Sequence, residues 1–571
     1  MGIQKKDLIW LGKSTAKAIL ALLVVGCLLL VLQYKSTACS RDKDRYLFFE
    51  TLSLIDSYYI EMVDKQNLIV DAFRGIMYKL PLEKTGLKRV GNIVELFCDN
   101  STQTITLGTG KNELVQNFFT GYQYFGNHCT GPDADRKFLY AAVSNMVGTL
   151  DPHSAFLEPK SYSRLQEETK GTFGGIGIEI GLRNGKLTVV AAIEDTPAWH
   201  AGLKARDSIE KIDGKETKGL DLMEAVNMIR GEIGTSVVLS IRRGANLSPF
   251  DVTIVRQKIV APSVKWEIIS GNIGWLKLLS FSSMTSDDLD DALIKMEKKG
   301  IRVLVLDIRN NPGGLLDQAV SAANKFISHG LIVSTLGRGM IQDRERFAVG
   351  KNAHDKIPII CLINGGSASG AEILAGALQD HNRAVLIGSR SFGKGSVQSI
   401  FKLPNNAGLR LTTARYYTPS GRSIQAEGII PDVRFTFPEE NEDMEESNYF
   451  LGERSLPNHI QGKGSVNSIE AISIDAKLAF VHFLRQNKVQ IDEEEPERAD
   501  MLKPFVLELA ASKNLTKQAL IERSKEMIEQ IKETTSEPTE KELALMTTKR
   551  DTKVGPKSED KEQPENQPAK E

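Results

Sequence analysis

Two serines, a lysine and a glutamine stand where they could do chemistry together: Ser367, Ser369, Lys394 and Gln398. Serine is a weak nucleophile until a base takes its proton. A lysine serves as that base only when neutral, which requires burial to lower its pKa. The stretch holding them reads IICLINGGSASGAEILAGALQDHNRAVLIGSRSFGKGSVQSIFKL, from Ile359 to Leu403. Apolar runs at Ile359–Ile363 and Ala384–Ile387 flank the serine turn and lead to the lysine loop, and Val397–Leu403 alternates like a strand. Strand, serine turn, helix, strand and lysine loop is an order that brings a nucleophile and a base together. If Lys394–Gln398 is extended, Lys394, Ser396 and Gln398 share a face, so that Gln398 can orient the amine. A helix opening at Gly370 offers end donors for an oxyanion. Spacing alone does not choose between Ser367 and Ser369.

Three other readings compete. Gly388 to Gly393 followed by Lys394 matches the start of a phosphate loop, but Gly395 stands where Ser or Thr must ligate magnesium, and the following residues alternate like a strand. Ser369-Gly370-Ala371-Glu372 fits an S-x-x-E capping box, which taken alone makes Ser369 only a helix cap. A Ser–His–Asp triad finds no G-x-S-x-G elbow, and nothing selects among His329, His354 and His381. His153 in Asp151-Pro152-His153-Ser154 is a ligand or base on one reading and a turn residue on the simpler one.

The 571 residues carry 41% hydrophobic and 25% charged side chains with net charge −1, which gives no sign of a nucleic-acid binder. The five cysteines include no C-x-x-C pair, so no metal site is expected. Lys5, Lys6, Lys13 and Lys17 precede the apolar run Ala18 to Leu32, and Ser36-Thr37-Ala38 offers a cleavage site. A cleaved signal and an uncleaved anchor lengthened by Leu8–Trp10 both fit; a lipobox ending at Cys39 lacks its leucine. Each implies export, to the periplasm or to the periplasmic side of an inner-membrane anchor. Export permits a Cys98–Cys129 disulfide, and two free thiols are the other reading. Cys361 reads as core.

Residues 1–38 are expected to form the signal or anchor. Residues 41–170 are mainly helical with an insertion at 81–135. Residues 171–258 form a compact strand-rich module, and 259–437 alternate strands with helices, which argues a largely parallel sheet. Residues 438–533 hold an acidic linker, an amphipathic helix from Ile472 to Leu484, and two further helices for docking or oligomerisation. Residues 534–571 are expected to be disordered. Gly313 and Gly314 follow the strand Val303–Ile308 at its carboxyl end, where amides can face a ligand.

The pieces DIRNNPGG (Asp307–Gly314), GSASGAEI (Gly366–Ile373), ALQD (Ala377–Asp380), FGKGSVQ (Phe392–Gln398) and GIIPDV (Gly428–Val433) closely resemble the carboxy-terminal processing, or tail-specific, proteases. The resemblance covers about Arg45 to Phe435. It implies an α/β fold: a ClpP/crotonase-like protease core, an inserted PDZ domain of the circularly permuted bacterial form, and helical N- and C-terminal segments. It implies Ser369 as nucleophile, Lys394 as base, Gln398 as its orienting residue, backbone amides of Gly313, Gly314 and Gly370 as oxyanion donors, and a supporting role for Asp380. Gly175-Ile176-Gly177-Ile178 would be the loop whose amides hold a substrate's terminal carboxylate. Arg206 departs from the glycine usual in these domains. No metal or cofactor is implied. Expected partners are protein substrates engaged through their C-terminal tails, with an adaptor or activating lipoprotein, a homo-oligomer and inner-membrane association as further expectations. The other reading of the whole chain is a catalytically silent PDZ scaffold or adaptor.

Overall fold

The computed structural model describes residues 42–81, 83–130, 136–183, 185–244, 248–269, 272–338, 343–350, 354–436, 452–461, 472–475, 479, 482 and 502–534. The N-terminal apolar run, the acidic stretch after Phe435 and the tail from residue 535 lie outside them. Among the described residues no helix is long and apolar enough to cross a membrane.

A seven-stranded sheet positions the chemistry. Its order is Val264–Ile269, Ile273–Leu278, Val303–Asp307, Ile359–Ile363, Ala384–Gly388, Val433–Thr436, Ile472–Asp475. The first pair is antiparallel and the rest are parallel. The central strands VLVLD, IICLI and AVLIG are buried along their whole length, as strands covered on both faces must be. Alternation divides their side chains between two cores. Leu304, Leu306, Ile359, Cys361 and Leu386 face the layer built by Thr285–Lys298, Leu316–Asn324 and Gly370–Asp380. Val303, Val305, Ile360, Leu362 and Val385 pack under Lys503–Ala510 and Lys517–Thr534 through Phe505, Leu509, Leu520 and Ile528. The two late helices thus close the second face of the sheet. Each large aliphatic side chain so buried contributes about 1.5–3 kcal/mol.

One sequence expectation fails here. The spacing predicts an amphipathic helix from Ile472 to Leu484, but Ile472–Asp475 is a strand pairing in parallel with Val433–Thr436. The hydrogen-bonding edge of Val433–Thr436 overrides the weak helical spacing, and helix is found only later, at Ala479 and His482.

A second sheet carries the lysine loop: Arg344–Phe347, Leu331–Gly337, Gly408–Tyr417 and Ser396–Lys402, with Ala155–Leu157 added to Gly408–Tyr417. That short strand fastens the N-terminal region to the core. In the N-terminal region the stretch 81–135 forms a three-stranded meander (Thr85–Val90, Ile93–Cys98, Ser101–Thr106) and the helix Lys111–Phe125. It shares one core with the helices at 42–58, Lys65–Met77 and Arg136–Gly148, in which Phe48 stacks on Phe118 at 3.8 Å. Cys98 and Cys129 are disulfide-bonded, and Cys361 is a buried free thiol.

The strand-rich module has the sheet order Phe250–Val255, Ser236–Arg242, Ser208–Ile212, Lys186–Ala192, Ile178–Arg183. Thr172–Gly175 and Gln257–Val260 pair at its two ends and tie it to the core. Ile178–Arg183 is an edge strand, and the helix Leu222–Ile229 packs beside it. Arg206 takes φ +72°, a left-handed conformation that glycine adopts without strain, and its N–H donates to Val189 O at 2.8 Å. The arginine therefore preserves the turn that a glycine would make, at some local strain.

Candidate active site

The buried strand Ile359–Ile363 ends at Asn364, and the chain turns sharply through Ser367 into the helix Gly370–Asp380. Ser367 is fully buried; its hydroxyl donates to Ile308 O at 2.8 Å and accepts from the Asn364 amide at 3.0 Å. It is a turn residue. Ser369 sits just before the helix with φ +53° and ψ −112°, a conformation that costs a non-glycine residue energy and recurs at functional sites. Glu372, one turn on, accepts the Ser369 amide at 2.8 Å, the glutamate half of the expected capping box.

Ser369, Gly370, Lys394, Ser396, Gln398 and Arg410 line one cavity of about 600 Å³, together with Gly313 and Gly314. Gly313 has φ +96°, and a Cβ there would stand 2.8 Å from Ser369 Cβ. Only a glycine lets the DIRNNPGG turn approach the serine so closely. The Gly313 amide donates to Asn311 Oδ1 at 2.9 Å, so it is engaged within its own turn. The amides of Gly314 and Gly370 make no hydrogen bond among the described residues. A Cβ built on Gly370 would lie 3.5 Å from Gly314 N, which puts these two backbones side by side. Of the three expected oxyanion donors, the structure therefore leaves two available at the helix start, where the dipole favours negative charge.

Lys394 is largely buried. Burial pushes its pKa below the ordinary lysine value, and the Arg410 charge pushes the same way, against Glu453, Glu372 and Asp151. The backbone of its loop rests on Glu372: Gly393 N donates to Oε1 at 2.7 Å and Lys394 N to Oε2 at 2.9 Å, with the Ser391 hydroxyl as a further donor. Glu372 is thus shared between the serine turn and the lysine loop. Complete burial raises its pKa to about 7 despite these hydrogen bonds. Tyr416, also buried, donates to Ser369 O at 3.1 Å and to Lys394 O, a second bridge between the two segments.

The remaining expected residues are placed differently. The extended segment begins only at Ser396, and its register shifts between Val397 and Gln398. Gln398 Nε2 donates to Ser396 Oγ at 3.0 Å and to Thr412 Oγ1 at 3.4 Å rather than meeting Lys394. Simple alternation from Lys394 fails because of that bulge. Asp380 lies at the opposite end of the helix from Ser369, about 16 Å along its axis. Burial raises its pKa, but Thr418, the Ser420 amide and Arg422 outweigh this and hold it below the usual range. It fastens the Ser420 turn and does not reach the cavity. In the strand-rich module, Gly177 has φ +81°, and its carbonyl accepts from Ile193 N at 2.9 Å and Thr196 Oγ1 at 3.1 Å. The loop Gly175-Ile176-Gly177-Ile178 leads directly into the edge strand. Arg230, at the end of the neighbouring helix, lies 3.9 Å over the Phe173 ring, and both line the Ser369 cavity. His153 takes the turn reading, with its amide on Asp151 Oδ1 at 2.8 Å, but its ring also reaches Glu453.

The sequence reading missed Arg410, Tyr416, Gln425 and Glu453. None carries a motif, and Glu453 stands just past the acidic Pro438–Glu446 stretch with nothing around it to single it out. Glu372 was legible, but only as a cap.

Fold and cavity together define a PDZ-bearing α/β hydrolytic enzyme. The model for "Peptidase family S41" matches residues 272–435, and that for "PDZ domain" matches residues 188–243. The chain is 45% identical over 373 residues to a carboxy-terminal-processing protease of Bartonella bacilliformis, covering 64% of this chain and 83% of that protein. It is 37% identical over 322 residues to a probable CtpA-like serine protease of Staphylococcus epidermidis, covering 56% of this chain and 64% of that one. A solved photosystem II D1 C-terminal processing protease aligns at 28% identity and TM-score 0.35, over 65% of this chain and 93% of that one. The chain belongs to the S41 carboxy-terminal processing proteases and is a serine-type endopeptidase with a PDZ domain.

Proposed function

We propose that this endopeptidase cleaves exported proteins near their C-termini, with Ser369 as nucleophile and Lys394 as general base. The observation that carries the reading is the shared cavity, in which a strained serine at a helix start meets a buried lysine and the unengaged amides of Gly314 and Gly370. The neutral Lys394 amine takes the Ser369 proton as Oγ attacks the scissile carbonyl. The oxyanion forms beside the Gly314 and Gly370 amides. The Lys394 ammonium then protonates the leaving amine, an acyl-enzyme remains, and Lys394 activates the water that releases it. Gln398 orients the amine through its Oε1, once its side chain turns from Ser396.

The substrate tail adds as a strand to Ile178–Arg183, beside Leu222–Ile229, with its carboxylate on the loop amides at Gly175–Ile178. The open strand edge and the position of Arg230 between module and cavity support this. Export and a periplasmic setting are supported by the lysine-flanked apolar run and by the Cys98–Cys129 disulfide. In that setting the uncleaved run would serve as an inner-membrane anchor, and an adaptor lipoprotein and self-association are further partners to test.

The test is cleavage of an unfolded reporter with an apolar free tail by the segment beginning at Arg41. Parent activity is expected to disappear in both Ser369→Ala and Lys394→Ala, and to weaken when the reporter's tail is amidated. Cleavage surviving Ser369→Ala would overturn the site.

A further inference from the structure

The stretch 452–461 lies beyond the matched family core, after the acidic run. Its opening turn, Glu453–Ser455, comes back against the lysine loop, where Glu453 N donates to Phe392 O at 3.0 Å. The Glu453 carboxylate is completely buried. Its Oε1 accepts from Gln425 Nε2 at 2.9 Å, and its Oε2 meets His153 Nε2 at 2.7 Å. Gln425 passes the constraint on, because its Oε1 accepts from Gly395 N at 2.9 Å. Contact between the two is close: a Cβ on Gly395 would stand 2.5 Å from Gln425 N. Lys394 is therefore gripped from both sides. Glu372 holds the Gly393 and Lys394 amides, and Glu453 holds the Gly395 amide through Gln425.

A buried carboxylate is costly unless cations and donors compensate it. Here Lys394 and Arg410 line one cavity, Asp151 acts on the Arg410 charge, and Glu453 is among the acidic groups that act on Lys394. We propose that Glu453, oriented by His153, is a positioning residue for Lys394, fixing its loop through Gln425 and supplying a negative charge to the lysine's surroundings. The proposal rests on the reading of Lys394 as the base. The charged groups that act on Lys394 are the cation Arg410 and the acidic Glu453, Glu372 and Asp151, with the Tyr416 hydroxyl on its carbonyl. Glu453 opposes the lowering that burial and Arg410 impose on the Lys394 amine. Removing that charge lets the amine become neutral at lower pH.

The experiment is the pH profile of kcat/KM for tail-bearing reporter cleavage in the parent, Glu453→Gln, Glu453→Asp and Lys394→Ala. Glu453→Gln keeps the shape and loses the charge; its acid limb is expected to move about one unit to lower pH. Glu453→Asp keeps the charge but shortens the reach to Gln425. Its limb is expected to stay in place while kcat falls about tenfold at nearly constant KM. A merely structural Glu453 would change thermal stability in both variants and leave the limb unmoved, which overturns the proposal. Should Glu453→Gln not fold, Glu453→Asp decides alone, and parental kcat in it is equally fatal. Lys394→Ala separates the two levels: cleavage at the parental rate there removes the base assignment itself, whereas lost cleavage with an unmoved Glu453→Gln limb removes only the inference about Glu453.

Discussion

The serine turn and the lysine loop reach the same cavity by opposite routes. Ser369 is placed by near neighbours: the end of one strand, the start of one helix, Glu372 three residues on, and a glycine turn pressed against it. Lys394 is placed by groups drawn from several separate segments. Asp151, Arg410, Tyr416, Gln425 and Glu453 surround its loop, and the bond between His153 and Glu453 spans 300 residues. A nucleophile needs geometry, which a turn and a helix cap supply locally. A lysine base needs an unusual pKa, and burial and charge balance are properties of the assembled fold.

Substitutions that strike either half of the pair test this contrast most severely. Ser369→Ala, Lys394→Ala and Lys394→Arg are each expected to lower kcat by about 10³-fold or more in the reporter assay. The arginine variant sharpens the point, since it keeps the charge but cannot give up its proton. Substantial cleavage by Lys394→Arg would mean that basicity is not what the loop supplies.

The glycine turn should come next. At Gly314 φ is +147° and an added Cβ would stand 2.2 Å from Phe281 O, so Gly314→Ala must displace backbone beside the serine. About 10²-fold loss of kcat/KM is expected with a smaller change in KM. A variant that loses melting temperature but keeps kcat would show that this turn only packs the core.

Glu372 belongs to both halves, and its effect should appear in stability. Its folded pKa of about 7 lies above the ordinary 4.5, so its contribution is full below about pH 4.5 and is lost as pH rises through 7. Unfolding free energy should therefore fall across that window, and Glu372→Gln should flatten the slope in denaturant titrations at pH 5 and pH 8. An unchanged slope would mean that the shared carboxylate stays ionised in the fold.

The smallest effect on catalysis is expected far from the cavity. Replacing Cys98 and Cys129 by serine opens a 31-residue link and should cost about 2–4 kcal/mol of stability. Cleavage by the folded variant should stay within about twofold of the parent. A large catalytic loss would tie the N-terminal region to the lysine loop, through Ala155–Leu157, more tightly than packing alone requires.

Much of this was legible in the residues. The runs VLVLD, IICLI and AVLIG announce central parallel strands because a strand buried on both faces cannot alternate. Glycines at 313 and 314 mark a close approach, and the order of strands and helices in 171–258 marks the module with its open edge. Ile472–Asp475 was misread because four residues of ISID carry too little period to outweigh a waiting strand edge. That the Gln398 side chain rests on Ser396 and Thr412 was not legible, because a bulge leaves no mark in composition. The distance of Asp380 from Ser369 was not legible either, because its place in a motif says nothing of which end of the helix it occupies.

By itself the sequence determined which side chains are able to react, since nucleophile, base and glycine turns are matters of residue type and short spacing. The tertiary structure decided which of them meet, that Gly314 and Gly370 are open while Gly313 is not, and that an acidic residue near position 450 lies buried beside the lysine. Those outcomes depend on contacts between separate segments of the chain, and no local period encodes them.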